Sequence, residues 1–336
     1  RGSKKMPRFI LRRAYFAVLT LLLVSVVVYG VFSILPFDPA ALTCGQKCTP
    51  QVIEANRIKL GFDKPLWEQY WLFLSGIFVG RTYGAGSAEF SCPAPSFGYS
   101  FNENMCVTDM LKEALPVTIN LAIGAFIIWI IVGVGLGLLA AKFRGRYPDT
   151  LSSVFVLLGT SLPTFVTGLF LLIYVSIKWK IVPLSLEGYK SLFDDPLGYF
   201  RYFILGWITL AIAYAAFYTR FTRATVLETL GEDYIRTARA KGLTERVVLL
   251  KHTMRAVLAP ITTSAGLDIA GLIGGAIITE SILNLAGLGR MTIQAVYEFD
   301  LSVVVATTML AATVVITMNL IVDIAYGYLD PRVRMK

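Results

Sequence analysis

Long apolar runs dominate this chain and restrict it to folds that cross a membrane. Hydrophobic residues make up 56% of its 336 residues and charged residues only 16%, and a helix needs roughly 20 apolar residues to span about 30 Å of hydrocarbon. Five runs meet or nearly meet that length without a charge: Tyr15–Leu35, Leu115–Ala141, Leu151–Ile177, Tyr202–Thr219 and Leu301–Val322. A sixth, Val257–Thr279, is interrupted only by Asp268. The sequence predicts an all-α membrane protein with six transmembrane helices.

Basic residues indicate which side of the membrane each connection occupies. Four segments hold 20 of the 31 Lys and Arg residues: 1–13, 142–146, 220–255 and 332–336. If the chain crosses six times, these four segments lie on the same side of the membrane. The positive-inside rule predicts that this side, which includes both termini, is cytosolic. The net charge of +9 then reflects topology and contact with anionic membrane lipids, so no nucleic acid is implied as a partner.

The same reasoning divides the chain into consecutive regions. The predicted order is a cytosolic segment 1–14, a first span 15–35, an extracytoplasmic insertion 36–113, a five-helix core 114–330 with a cytosolic segment 220–256, and a cytosolic tail 331–336. The first span is expected to be retained, because it is about 20 residues long and no small-residue cleavage site precedes Pro36.

All four cysteines fall in the insertion, where oxidation is permitted: Cys44, Cys48, Cys92 and Cys106. Proximity favours Cys44–Cys48 and Cys92–Cys106, although four cysteines allow three pairings. A metal site is the competing interpretation, but the only histidine of the chain, His252, lies in the cytosolic segment. We therefore expect disulfides and no metal.

The rest of the insertion predicts two short amphipathic helices and a loop. The helices are expected at Gln51–Leu60 and Leu66–Phe78, and the second carries Trp and Tyr residues that suit a membrane–water interface. The Gly-, Ser- and Pro-containing stretch Ala85–Met105 is expected to be a loop held by the Cys92–Cys106 bond.

Two features inside the spans suggest close packing and a kink. Gly133, Gly135 and Gly137 form a small-residue stripe of the kind that lets helices approach closely. Pro163 lies inside the third span and predicts a kinked helix. Neighbouring hydroxyl groups, including that of Ser161, suit either a lined pathway or packing.

The cytosolic stretch from Glu232 to Pro260 predicts two helices separated by a glycine. Asp233 is expected to cap a helix over Tyr234–Lys241, Gly242 to end it in a left-handed conformation, and Thr244 to cap a second helix that runs to Pro260. A helix of eight residues does not persist alone in water, so it must dock on something. The alternative is a basic loop on lipid headgroups.

Missing motifs point away from an enzyme. The sequence has no G-x-x-x-x-G-K-[ST] phosphate loop and no H-E-x-x-H, and Asp268 is the only carboxylate in the middle of a predicted span. We therefore expect no catalytic residues and no bound cofactor. Energy for transport must come from another chain or from an ion gradient.

Several motifs in order resemble one family. DYIRTARAKGL (Asp233–Leu243), followed by His252 and Pro260, resembles the cytosolic coupling segment of bacterial dipeptide/oligopeptide ABC importer permeases. Six further segments are similar to the same family: LGFDKPLWEQY (60–70), LPVTINLA (115–122), SLPTF (161–165), GGAIITESI (274–282), GLGR (287–290) and NLIVDIAYGYLDPRVR (319–334).

The resemblance implies the B-type permease subunit with a type I importer fold in the bacterial cytoplasmic membrane. Its implied partners are a homologous second permease, two cytosolic ATPase subunits that bind ATP and Mg²⁺, and an extracytoplasmic substrate-binding protein. The substrates implied first are dipeptides or short oligopeptides. Nickel complexes, glutathione or another small solute follow, and a carrier outside the ABC class or a membrane scaffold is the remaining alternative.

The resemblance also assigns roles to individual residues. It implies that the coupling helix sits in a groove of one ATPase through Tyr234, Arg236, Thr237, Ala238, Arg239, Ala240, Lys241, Gly242 and Leu243. Candidates for the translocation pathway or a subunit interface are Ser161, Pro163, Asp268 and Glu280. For Asp268, a substrate amino terminus, a basic residue of the second permease and a purely structural contact all remain open.

The sequence departs from the family pattern at four places. The usual Pro-Gly-Asp-Pro is Pro36-Phe37-Asp38-Pro39 here, and Asp-aromatic-Pro is replaced by Asp300-Leu301-Ser302. The loop Ala85–Met105 and the cysteines are additions, and Asp268 stands where an uncharged residue is more usual. These departures leave the coupling interpretation intact but reduce what the resemblance says about substrate.

Overall fold

Helices account for nearly all of the fold, because backbone polar groups in hydrocarbon must be satisfied within the segment that carries them. The structure, a computed structural model, describes residues 5–33, 49–60, 63–83, 90–100, 102–182 and 191–329. It divides the chain into two units. The core unit is built on 119–285, and the insertion unit is built on 10–118 and 286–317.

The helices lie close to the predicted positions. The first half contains α1 (Lys5–Ser33), α2 (Pro50–Leu60), α3 (Leu66–Val79), α4 (Val107–Lys142), α5 (Tyr147–Ser161) and α6 (Thr164–Phe170, continued by a π-helix over Leu171–Lys178). The second half contains α7 (Pro196–Leu230), α8 (Asp233–Ala240), α9 (Glu245–Val247, continued by a π-helix over Val248–Thr253), α10 (Met254–Gly275), α11 (Ile277–Ile282), α12 (Leu288–Tyr297) and α13 (Leu301–Leu329).

Four single helices in the described ranges are long and apolar enough to cross a membrane: Ile10–Val31 within α1, α4, α7 and Leu301–Ile321 within α13. A fifth crossing is possible if α5 and the helix Thr164–Lys178 count as one broken span. The sixth predicted span, Val257–Thr279, corresponds to α10, which ends at Gly275 before α11 begins. Six crossings therefore stay a prediction.

The third predicted span is broken, not kinked as the sequence suggested. Helix α5 ends at Ser161, and Pro163 occupies the position just before α6, with a bend of 100° between the two helices. Leu162 between them is extended, with φ −89° and ψ 121°. The cause is local, because a residue before proline is pushed out of the helical region.

The insertion unit contains two small hairpins that the sequence did not predict. Strands β1 (Arg81–Tyr83) and β2 (Phe90–Cys92) pair antiparallel, as do β3 (Tyr99–Ser100) and β4 (Met105–Cys106). A disulfide joins Cys92 to Cys106, which confirms that pairing. Cys44 and Cys48 lie outside the described residues. The all-α prediction was incomplete because strands of two or three residues are too short to show an alternating pattern.

Hydrogen bonds tie the second hairpin to the segment before α13. Ser100 Oγ donates to Asp300 Oδ2 at 2.5 Å, and Asn102 Nδ2 donates to the Glu298 carbonyl oxygen at 3.0 Å. Burial of Asp300 raises the pKa of its carboxyl above the ordinary value. Both segments are predicted to lie outside the membrane on the same side, so these bonds agree with the predicted topology.

Helix α3 packs on α1 through its polar and aromatic residues. Ser25 and Tyr70 share a hydrogen bond of 2.7 Å, and Phe73 packs among residues of α1 that include Val28. The opposite face of α3 exposes Trp67 and Trp71, as expected for a helix at a membrane–water interface.

In the core unit, close packing of α4 on α7 depends on two of the three predicted stripe glycines. A Cβ added at Gly133 would lie 2.6 Å from the Tyr218 Cβ, and one at Gly137 would lie 2.6 Å from the Thr222 Cβ and 2.7 Å from the Thr219 carbonyl oxygen. Gly135 has nothing within 4 Å of that position. The stripe therefore consists of Gly133 and Gly137, which are four residues apart on one helix face.

Gly137→Ala is expected to destabilise the protein by about 1–3 kcal/mol, because the Thr219 carbonyl oxygen is backbone and cannot turn away from the new methyl group. Gly135→Ala is the matched control in the same helix and is expected to be neutral or slightly stabilising. Thermal unfolding of both variants in the same detergent checks this. Equal melting temperatures for the two variants would contradict the assigned packing.

Candidate functional site: the predicted coupling segment

Helix α8 begins almost directly after the long helix α7. Helix α7 ends at Leu230, and Glu232 holds the position before the first helical residue, Asp233, with an extended backbone of φ −68° and ψ 147°. No side chain caps the helix start. The expectation that Asp233 caps the helix from outside was wrong by one residue, and its carboxylate instead lies in the first turn, where negative charge suits the helix dipole.

One face of α8 is buried within this chain. Ile235 and Ala238 pack with Val248, and Leu230 at the end of α7 packs against the same cluster. Ile235 is fully buried and Ala238 is 7% exposed. Ala238 was expected to offer contact surface beside Ala240, and this was wrong. The cluster explains how so short a helix keeps its shape, since tertiary packing replaces intrinsic helix stability.

Gly242 ends the helix in the predicted left-handed conformation, with φ +78°. The Gly242 N–H donates to the Arg239 carbonyl oxygen at 2.9 Å, and the Leu243 N–H donates to the Ala238 carbonyl oxygen at 3.4 Å. These two bonds form a Schellman motif, which satisfies carbonyl groups that the helix end leaves free. The turn direction is thus fixed by backbone bonds that need a positive φ.

An ion pair crosses the Gly242 turn. Arg239 donates from Nε to Glu245 Oε1 at 2.7 Å and from Nη2 to Oε2 at 3.2 Å. This guanidinium lowers the pKa of the Glu245 carboxyl below its ordinary value. The pair is exposed, so it contributes little to stability, but it fixes the position of α8 relative to α9.

The predicted second helix runs to Pro260 and beyond, with a π-helical stretch inside it. Thr244 occupies the predicted position before α9 but makes no side-chain capping bond, and α9 widens into the π-helix Val248–Thr253 before α10 begins. The Thr253 hydroxyl donates to the Val248 carbonyl oxygen at 3.1 Å, and this bond satisfies an acceptor inside the wider turn. Pro260 lies within α10.

The remaining coupling residues form a solvent-facing, positively charged surface. Eight of the nine predicted residues are exposed: Tyr234, Arg236, Thr237, Arg239, Ala240, Lys241, Gly242 and Leu243. The surface carries three cationic side chains beside one aromatic ring, while the opposite face is fixed to this chain. Arg236 Nη1 lies 3.6 Å from Asp233 Oδ1, and Arg239 pairs with Glu245. The segment is therefore an exposed, charged projection whose shape is held by contacts within this chain.

The four pathway candidates lie in different environments. Ser161 and Pro163 are exposed at the break between α5 and α6, whereas Glu280 is fully buried in α11. Asp268 is half-buried in α10 and accepts a hydrogen bond of 2.5 Å from the Tyr218 hydroxyl in α7. Sequence reasoning missed Tyr218, because nothing in an apolar span indicates which of its aromatic residues meets a charge 50 positions away.

Beyond this, the described part of the chain contains no group of three or more His, Cys, Asp or Glu residues that could hold a metal ion. The segment thus offers an exposed, charged surface and a packed connection to the end of α7. Neither is a constellation for catalysis.

Comparison with known proteins agrees with this architecture. Residues 133–335 match the family described as binding-protein-dependent transport system inner membrane component. Residues 6–122 match the N-terminal region described for the same kind of component. The chain belongs to this family. It is accordingly a permease subunit of an ABC importer, and it is mostly helical with several apolar membrane helices.

The chain matches curated relatives along their whole length. It is 35% identical over 331 residues to the glutathione transport system permease protein GsiC of Shigella flexneri serotype 5b and of Escherichia coli K12, covering 98% of this chain and all of each relative. A subunit of the MetNI methionine ABC transporter, solved in inward-facing conformations, superposes with a TM-score of 0.50 at 16% identity, covering 66% of this chain and 97% of that one. This second likeness concerns the fold alone.

Gly242→Val is expected to abolish uptake or assembly, because a β-branched residue at φ +78° costs at least about 1–2 kcal/mol and the Schellman motif would open. Gly242→Asn is the matched control, since Asn tolerates this conformation. A Cβ at this position has nothing within 4 Å, so strain is the only difference tested. Substrate uptake and complex yield are the measurements, and normal values for the Val variant would refute the assigned role of the turn.

Proposed function

We propose that this chain forms half of the translocation pathway of an ATP-driven importer for short peptides and couples it to a separate ATPase. The observation that carries the proposal is the rigid basic surface of α8, bound through Leu230 to the end of a long membrane helix. A force applied to that surface by a partner passes into α7 over a few residues.

The proposed complex contains two homologous permeases, two ATP-binding subunits on the cytosolic side and an extracytoplasmic binding protein. The family description supports the dependence on a binding protein and the inner membrane. The proposed topology has six crossings with both termini in the cytosol. It is supported by the basic residues of 220–255 and by the hydrogen bond between Ser100 and Asp300, which joins two segments predicted to be outside.

Short peptides are the proposed substrates, with dipeptides and oligopeptides first and glutathione second. The motifs that resemble peptide importer permeases support the first, and the names of the curated relatives support glutathione. Both share peptide bonds, a carboxylate and an ammonium group. The insertion, including the hairpins joined by Cys92 and Cys106, is the proposed contact for the binding protein.

Asp268 is proposed to pair with a cation that the described part of this chain does not supply. Its carboxylate accepts one hydrogen bond from Tyr218, and it is only half-buried in α10. One neutral donor does not compensate a carboxylate at membrane depth, so the exposed side faces protein or water. The ammonium group of a peptide is the cation proposed here, and a basic residue of the second permease is the alternative.

Purification in mild detergent tests the proposed assembly. One homologous permease, two ATP-binding subunits and a binding protein that carries a short peptide are expected to co-purify with this chain. Arg236→Glu is expected to reduce recovery of the ATP-binding subunits about tenfold or more, because it reverses a charge on the docking surface. Arg246→Glu, the same change on exposed α9, is the control. Isolation of the chain alone, under conditions that preserve other ABC complexes, would overturn the proposal.

The substitution Asp268→Asn distinguishes between the two proposed partners of Asp268, the peptide ammonium group and a basic residue of the second permease. The amide still accepts the Tyr218 hydrogen bond but carries no charge. If the peptide ammonium is the partner, uptake falls at least about tenfold while complex yield is unchanged. Loss of the complex itself would instead assign Asp268 to the interface with the second permease. Tyr218→Phe, which removes only the hydroxyl donor, measures the contribution of the internal bond.

A further inference from the structure

A partly buried ion pair joins the predicted cytosolic ends of α5 and α7 in the core unit. Arg223 donates from Nε to Asp149 Oδ1 at 2.7 Å and from Nη2 to Oδ2 at 2.9 Å. The Gly145 N–H donates to the same Oδ2 at 2.9 Å. Asp149 is 7% exposed as a residue. Both carboxylate oxygens are therefore hydrogen-bonded, and the bidentate arrangement fixes the orientation of the two helices as well as their distance.

This pair lies just before the coupling segment in the chain. Arg223 is seven residues from the end of α7 at Leu230, and Leu230 packs against the buried face of α8. Asp149 lies in the first turn of α5, directly after a loop in which Gly145 has φ +74°. Any displacement of α8 thus reaches the Asp149–Arg223 pair within two helical turns of α7.

The same part of α7 has features that let a helix bend. Three threonine hydroxyls donate to the carbonyl oxygen four residues earlier: Thr219 to Ala215 at 2.7 Å, Thr225 to Phe221 at 3.0 Å, and Thr229 to Thr225 at 2.8 Å. Such bonds compete with the helical backbone bonds and often bend helices. Without a lateral attachment, a push on α8 would be absorbed by bending of the last turns of α7.

Deeper in the core unit, α5 already packs tightly on α7. A Cβ added at Gly159 would lie 2.7 Å from the Ala216 Cβ, so the two backbones are close at that level. Arg223 is seven residues further along α7 than Ala216. The ion pair therefore extends the contact between α5 and α7 into the part of α7 that the threonine bonds weaken. It connects the ends of α5 and α7, so that they move together.

We propose that Asp149 and Arg223 are positioning residues for coupling, which convert movement of α8 into joint movement of α5 and α7. The proposal rests on the function proposed above. It adds a second route for the force, into the helix that precedes the break at Pro163, beside the route through α9 and its π-helical stretch into α10.

The test uses the complete complex with its binding protein in liposomes, supplied with ATP and a short peptide. Arg223→Lys keeps the charge but cannot form the bidentate pair, and Asp149→Asn keeps the shape but removes the charge. Peptide uptake is expected to fall at least about fivefold, with ATP hydrolysis within about twofold of the unmodified complex, as expected for a coupling change of 1–3 kcal/mol. The ratio of ATP hydrolysed to peptide imported therefore rises.

Arg220→Lys is the matched control, because Arg220 is exposed and lies one turn earlier on the same helix. It is expected to leave the ratio unchanged. If the Arg223 and Asp149 variants lower yield, hydrolysis and uptake in equal proportion, or leave the ratio unchanged, the pair serves folding alone and the proposal fails. If the unmodified complex itself shows no ATP-driven uptake, the failure lies with the proposed function.

Discussion

The need to satisfy every backbone polar group within hydrocarbon determines most of this structure. It makes the long segments helical, and it makes each departure from regular helix local. At the break before Pro163, the Leu162 N–H still donates to the Leu158 carbonyl oxygen at 3.3 Å, and the Thr160 hydroxyl donates to the Val156 carbonyl oxygen at 2.8 Å. At this bend of 100°, the end of α5 thus keeps a backbone hydrogen bond at Leu162, and a side-chain hydroxyl bonds one of its last carbonyl groups.

The predicted coupling segment, 232–260, follows a different rule, because most of it is exposed and water can satisfy its backbone. The constraint on this segment is that a helix of eight residues is not stable alone in water. The buried cluster around Ile235 and the bonds at Gly242 supply that stability within the chain. The consequence is functional. Under the proposed function, a partner that binds α8 contacts a surface already fixed in shape, so its binding energy is not used to order a loop.

Local sequence patterns predicted the features that depend on neighbouring residues alone. Apolar length located the spans, aromatic spacing located α3, and Gly242 located the helix end with its positive φ. Contacts between distant residues were not predictable. Asp149 and Arg223 are 74 residues apart, and the burial of Ala238 depends on where Val248 lies after the turn at Gly242. Local sequence patterns do not specify these contacts, because the contacts depend on how whole helices pack.

The substrate depends on parts of the chain that the shared fold does not determine. A methionine transporter shares the fold at 16% identity, so the fold alone does not select a peptide. Two departures from the family pattern, the second hairpin and Asp300-Leu301-Ser302, are joined here by the bond between Ser100 and Asp300 and by the approach of Gly98 to Ser302. The second hairpin and the Asp300-Leu301-Ser302 segment therefore pack together in the insertion unit. A change in either one is expected to alter the position of the other.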